Sequence, residues 1–262
     1  MIRIIKKYVL LNFFKSQYVR IFYPLFSSKI RRVVYSYLAR SPLSVLRDGN
    51  PVGDVYYGDL VTNYDKERSF GVTWIMEGEQ LKLLIMYLAD KLPKTPRLLD
   101  VPIGTGRFLD TYKENNFIIY GADISNDMLA MAVKNSKGYR IKVDQADASN
   151  LKYPDKYFDL LVSVRFLQGM IPEKSIKEVL LEFSRVSRFG ILEFAAREGE
   201  TNASICDFDI TNNKAVLYRY NIEELKGIFE AYSIKVVKIS DQIIENDKGC
   251  NILFLVEFPN NV

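Results

Sequence analysis

From residue 77 onward, segments of helical periodicity alternate with segments of strand character. This alternation constrains the fold more than any other feature of the sequence. Leu81, Leu84, Ile85 and Leu88 recur at helical spacing, and Pro93 closes that helix. Arg97–Val101 reads as a short buried strand, Arg107–Asn115 as a helix and Phe117–Ala122 as a second strand. Ser125 is placed to cap the next helix, with Met128, Leu129 and Ala132 inward. Arg140–Val143, Phe158–Val164 and Gly190–Ala195 read as the third, fourth and fifth strands. Between the last two, Pro172 suits the first turn of a helix carrying Ile176, Val179, Leu180 and Phe183 on one face. Asn221 and Glu224 are spaced as a capping box before Leu225, Ile228 and Phe229. Two strands, Ser233–Ser240 and Asn251–Phe258, end the chain around a turn at Asn246, Asp247 and Gly249. Such a pattern predicts an α/β fold with a mainly parallel sheet covered on both faces. Ligands of such sheets bind beyond the carboxyl ends of the strands.

The chain has 262 residues, enough for one α/β domain and an appendage. It contains no histidine, which excludes an imidazole base, a Ser-His-Asp triad and a His-ligated metal. Cys206 and Cys250 are far apart, which argues against a thiolate metal site or a disulfide framework and fits a reducing cytoplasmic setting. No metal is expected.

Charge is uneven. Residues 1–47 carry ten basic side chains and no acid, leaving 26 basic against 32 acidic residues after position 47. The same stretch is rich in large apolar residues such as Ile4, Tyr8, Leu11, Phe13, Phe14 and Phe22, but Lys15 and Arg20 interrupt every run well before bilayer length. Three readings fit: a segment lying on anionic lipid, a helical extension packed on the main domain, and a cleaved arginine-rich targeting peptide. Pro42, Gly49, Pro51, Gly53 and Gly58 mark a linker. The expected division is a basic, aromatic, helical extension with its linker over 1–58 and a main domain over 59–262.

The most informative segment is Leu98-Leu99-Asp100-Val101-Pro102-Ile103-Gly104-Thr105-Gly106-Arg107-Phe108-Leu109, which runs strand, glycine turn, helix. Counted from Gly104, the third glycine of a dinucleotide fingerprint is Leu109, and no P-loop lysine is present. A pyrophosphate cradle is therefore poorly supported. Asp123 stands at the end of the second strand, 23 positions after Asp100, where an acid can accept hydrogen bonds from ribose hydroxyls. After the third strand, Asp147 can accept from the exocyclic amine of a base. The ligand inferred is a nucleoside without a diphosphate.

On these residues, and on "YGADISNDMLAMA" and "DQADASNLKYPDKYFDLLVSVRFLQGM", the chain resembles the class I S-adenosylmethionine (SAM)-dependent methyltransferase family over roughly residues 60–258. The resemblance implies a Rossmann-like, seven-stranded sheet with helices on both faces and the last strand antiparallel. It implies SAM as cofactor. The Asp100–Gly106 loop, including Pro102, Gly104 and Gly106, would hold the methionine moiety. Asp123 would bind the ribose, with Ile124 and Met128 beside the adenine and Asp147 and Ala148 at its edge. Val164 and Arg165 would border the methyl group. Two positions depart from the family pattern: Pro102 stands at the usual first glycine, and the fourth-strand motif continues as Leu167-Gln168-Gly169 without its histidine. Upstream, Arg68 either pairs with the methionine carboxylate or belongs to a surface charge cluster.

Methyl transfer needs no metal, and the protein mainly positions the nucleophile. The long stretch Glu193–Tyr220 supplies Asp207 and Asp209 as candidate bases and Tyr218 and Arg219 as candidate substrate contacts; a solvated loop is the plainer alternative. The resulting expectation is a SAM-dependent methyltransferase acting on a small-molecule, lipid or lipid-linked glycan acceptor. It would be cytoplasmic, at the inner face of a membrane if the basic front binds lipid. The alternatives are an RNA methyltransferase that uses that front to hold phosphates, and a non-catalytic SAM-binding partner subunit.

Overall fold

The computed structural model describes residues 46–47, 50–51, 61, 64–65, 72–167, 175–196, 220–246 and 249–260. Of the expected N-terminal extension and linker, only a small hairpin pairing Leu46–Arg47 with Asn50–Pro51 falls among them.

Eight strands form the main sheet: β1 (Arg97–Asp100), β2 (Ile118–Asp123), β3 (Lys142–Gln145), β4 (Phe158–Ser163), β5 (Ser187–Ala196), β6 (Lys235–Ile239), β7 (Ile243–Asn246) and β8 (Gly249–Glu257). Among the described residues, five α-helices accompany them: α1 (Val72–Leu88), α2 (Leu109–Glu114), α3 (Asn126–Asn135), α4 (Ser175–Val186) and α5 (Ile222–Ala231). The strand order is β3-β2-β1-β4-β5-β8-β6. Strands β1 to β5 pair in parallel. β8 runs antiparallel between β5 and β6. The antiparallel last strand expected from the family resemblance is therefore present, inserted beside the edge.

β7 falls in the connection that the sequence pattern predicts between the last two strands, and it ends at Asn246 of the expected turn. It pairs with Gly249–Asn251 at the start of β8, on the same side as β6. β6 and β7 are thus two pieces of one interrupted edge strand. At the break, Ser240 Oγ accepts the Leu253 N–H at 3.0 Å and the Ser240 N–H donates to the Leu253 carbonyl at 2.9 Å. The backbone bonding that a continuous strand would give is thereby replaced locally.

The two faces of the sheet are covered by different helices. α1, α2 and α3 pack Leu81, Leu84, Leu88, Leu109, Tyr112, Leu129 and Ala132 on one face. On the other face, α4 and α5 bury Ile176, Val179, Leu180, Phe183, Leu225 and Phe229. The spacing of the α4 residues is the helical i, i+3, i+4, i+7 pattern, and all four are fully buried. Ser125 caps α3 as the sequence suggests, its Oγ accepting the Met128 N–H; at α5 the Asn221 side chain caps through the Glu223 N–H. Strand order reverses between β1 and β4, so the crevice at the carboxyl ends of β1, β2 and β4 is where a ligand of this fold class sits.

Candidate cofactor-binding site

Register sets the frame. Asp100 lies beside Gly121 on β2 and Val162 on β4, and Asp123 lies beside Gln145 on β3. The acids at the ends of β1 and β2 and the turn after β3 therefore share one edge of the sheet.

After Asp100 the chain turns through a cis Val101–Pro102 bond and through Gly104 and Gly106, whose φ angles are 55° and 78°. Glycine takes up such left-handed backbone without steric cost. Gly106 is also needed for close packing: a Cβ there would stand 2.6 Å from Leu109 Cδ1 and 3.3 Å from Ala132 Cα. At Gly104 a Cβ would meet nothing within 4 Å, so the outer surface of the turn is open at that point.

Asp123 secures this turn. Its Oδ2 accepts the Gly104 N–H at 3.0 Å and its Oδ1 accepts the Ser125 N–H at 2.9 Å. Burial pushes its carboxyl above the usual range, opposed by the backbone N–H groups of Ser125 and Gly104. Each carboxylate oxygen has two lone pairs, so both retain capacity for further donors. The Asp123 carbonyl accepts the Ala146 N–H at 3.1 Å, which ties in the turn carrying Asp147. Asp147 Oδ1 accepts from the backbone N–H and the hydroxyl of Ser149, at 2.9 and 2.8 Å. Beside these groups, Ile124 is exposed while Met128 and Ala148 are buried.

Asp100 is different. It is buried, and its Oδ2 accepts the Tyr112 hydroxyl at 3.0 Å. Burial pushes its carboxyl up to about 8. This bond turns it toward α2, within the protein.

The segment before α1 reaches the turn through Asp65, whose Oδ1 accepts the Thr105 hydroxyl at 2.7 Å. The Tyr64 ring stands 6.2 Å from that of Trp74.

A buried ionic group beneath the turn has no counterpart in the sequence reading. Glu77 on α1 accepts Arg107 Nη1 at 2.6 Å, Arg165 Nη2 at 2.6 Å and Arg165 Nε at 3.0 Å. Asn251 Nδ2 on β8 also donates to it, at 3.3 Å. Burial opposes the Glu77 charge, but the Arg165 and Arg107 guanidiniums outweigh it and hold its carboxyl below the usual range. Arg107 lies 3.6 Å over the Trp74 ring and donates to the Trp74 carbonyl. Glu193 on β5 accepts the Arg165 N–H, and burial pushes its carboxyl up to about 8. A glutamate in phase with Leu81, Leu84 and Leu88, and another within the apolar run Gly190–Ala195, were the available signals. Arg165 stands at the end of β4 as expected, and the structure shows its guanidinium bonded to Glu77.

Arg68, Asp207, Asp209, Tyr218 and Arg219 lie outside the described residues. The far end of the long connection is nevertheless placed: the Tyr220 N–H donates to the Ala195 carbonyl at 2.9 Å. Tyr220 therefore lies beside the carboxyl end of β5, where it bridges to Ala196. Among the described residues, no cluster of metal-ligating side chains occurs and no helix is long and apolar enough to cross a membrane.

Residues 98–190 match the family model of a methyltransferase domain. A phosphatidylethanolamine N-methyltransferase of Cereibacter sphaeroides is 35% identical over 98 residues, covering 36% of this chain and 46% of that protein. A demethylmenaquinone methyltransferase of Thermus thermophilus is 29% identical over 148 residues, covering 53% and 64% respectively. The matches thus span about half to two thirds of those relatives' lengths. Among solved structures, the magnesium protoporphyrin IX methyltransferase of Synechocystis with bound S-adenosylhomocysteine (SAH) superposes with a TM-score of 0.57 at 14% identity, over 79% of this chain and 97% of that one.

Strand order, glycine turn and family-model match define the class: the fold is that of the class I SAM-dependent methyltransferases. The family-model match runs from β1 to the first residues of β5.

Proposed function

We propose that this chain is a SAM-dependent methyltransferase whose acceptor is a small molecule, a lipid or a lipid-linked glycan. The single observation that carries the reading is Asp123, a buried acid at the end of β2 that holds Gly104 and keeps acceptor capacity beside an open glycine turn. That arrangement suits the ribose of a nucleoside. With Leu109 in place of a third glycine, the turn does not suit a diphosphate.

The residues present fit the cofactor. Asp123 would accept the ribose hydroxyls. Ile124 and Met128 would flank the adenine, and Asp147 and Ala148 would meet its edge. The Asp100–Gly106 loop would face the methionine end, with Val164, Arg165 and Arg68 around the sulfonium and carboxylate. Bound there, SAM supplies an electrophilic methyl group on a good leaving group. The chain's own task is to hold the acceptor in line and exclude water. A hydroxyl acceptor would pass its proton to a carboxylate, for which Asp207 and Asp209 in the stretch Glu193–Tyr220 are the candidates. A carboxylate or phosphate acceptor needs no base. Tyr218 and Arg219 on the same connection would contact the acceptor.

The lipid and quinone acceptors of the two relatives, named as phosphatidylethanolamine and demethylmenaquinone enzymes, support the acceptor class. The acid-free front of the chain, residues 1–47 within the extension and linker over 1–58, supports peripheral attachment to the inner face of an anionic membrane. Incubation with methyl-labelled SAM and cell extract, fractionated into lipid, glycan, RNA and small molecules, tests the acceptor. Label in the lipid, glycan or small-molecule fraction is expected, and label confined to RNA would overturn the reading. Sedimentation tests the membrane role: anionic vesicles should retain the full chain better than residues 48–262, and equal retention would remove it.

A further inference from the structure

Glu77 is fully buried, yet donors from three separate parts of the fold converge on it. Arg107 directly follows Gly106, and Arg165 directly follows Val164 at the end of β4. Arg165 has a φ of 57°, an unusual backbone for a non-glycine residue, and its N–H is held by Glu193. We propose that Glu77 is a positioning residue: through Arg107 and Arg165 it locks the glycine turn and the end of β4 together, so cofactor affinity depends on a side chain that contacts neither cofactor nor acceptor. The inference rests on the methyltransferase reading and adds to it a residue of α1.

Three features favour positioning over mere stabilisation. A buried ion pair gives little net stability compared with apolar packing of the same volume, but it fixes geometry. The geometry here is specific, because Arg165 presents Nε and Nη2 to the two oxygens of Glu77 as a fork that a lysine does not reproduce. Exposure also differs along the group. The Glu77 side chain is 0% exposed, whereas those of Arg107 and Arg165 are 12% and 23% exposed. The network therefore reaches the surface through its arginines, at the turn and the strand end that would surround the methionine portion of the cofactor.

The chain contains a single tryptophan, and it reports on this group: Trp74 lies one helical turn before Glu77, 3.6 Å from Arg107 and 5.8 Å from Arg165. The test is titration of the full chain with SAH, read by calorimetry and by Trp74 emission. The wild type should bind with a change in emission. Glu77→Gln should raise Kd roughly tenfold among folded molecules, within the usual range of coupling between linked sites. Glu77→Asp, which keeps the charge, should fall between them. Arg107→Lys, which cannot bond Glu77 and the Trp74 carbonyl as the guanidinium does and is not assigned to the cofactor, should weaken binding in the same direction and covers the case in which Glu77→Gln does not fold. A purely structural role would lower the binding stoichiometry with the folded fraction and leave Kd at the wild-type value, and that result would overturn the inference. Failure of the wild type to bind SAH is a separate outcome; it would overturn the methyltransferase reading, and this inference with it.

Discussion

Two aspartates at neighbouring strand ends are set to different tasks by their partners. Asp123 accepts the backbone N–H groups of Gly104 and Ser125 and so ties the glycine turn to the end of β2, whereas Asp100 faces the Tyr112 hydroxyl inside the fold. Burial raises Asp100 from its ordinary 3.8 to about 8. A raised carboxyl means that the folded state keeps a proton the unfolded chain releases. Its effect on stability is therefore most favourable below about pH 4, declines as pH rises toward 8, and levels off above that. Asp100→Asn removes this titration while keeping an oxygen for Tyr112. Its stability relative to wild type should improve from pH 5 to pH 8 by more than about 1 kcal/mol, measured by denaturant unfolding of the ligand-free protein. Parallel pH profiles for the two proteins would show that Asp100 is not the group responsible. Sequence spacing located both aspartates, but it could not separate their roles, because what separates them is the hydroxyl of Tyr112 arriving from α2.

Among the elements, the turn between β1 and α2 is the most constrained. Gly106→Ala would place a side chain in left-handed backbone against Leu109 and the backbone of Ala132, and should cost at least about 1–2 kcal/mol in thermal or chemical unfolding. Gly78 in α1 and Gly227 in α5 are the contrast. A Cβ at either meets nothing within 4 Å, so Gly→Ala at these helical sites should stabilise by roughly 0.5–1 kcal/mol. A loss at Gly227 equal to that at Gly106 would contradict this assignment of roles. The elements legible in the sequence were those whose pattern agrees with their burial: α4 with its apolar face, β4 with its apolar run, and the helix capped by Ser125. The less legible ones break that agreement. β5 begins at Ser187, directly after α4, but its polar Ser187 and Arg188 hide the start. β7 is only four residues long and sits among turn-forming residues. Glu77 and Glu193 are charges where the pattern calls for apolar side chains, and long-range partners explain them: Arg107 and Arg165 for Glu77, and the Arg165 backbone for Glu193.

At the scale of the molecule, parallel pairing outward from β1 brings the carboxyl ends of β2, β1 and β4 together, and Tyr220 pairs beside the carboxyl end of β5 at the same edge. The resemblance covering residues 60–258 conveyed this architecture in advance, while the ten cations ahead of residue 48 and the connection over 197–219 bear on the acceptor. Since the glycine turn and Asp123 form one hydrogen-bonded unit, the account stands or falls on whether that unit holds a nucleoside. Calorimetric titration of the full chain with SAM, wild type against Asp123→Ala, measures this directly. The account predicts stoichiometric binding by the wild type and at least a tenfold weaker affinity in the variant, the scale expected for losing hydrogen bonds from a carboxylate to ligand hydroxyls. No binding by the wild type, or equal affinity in the two proteins, would contradict it.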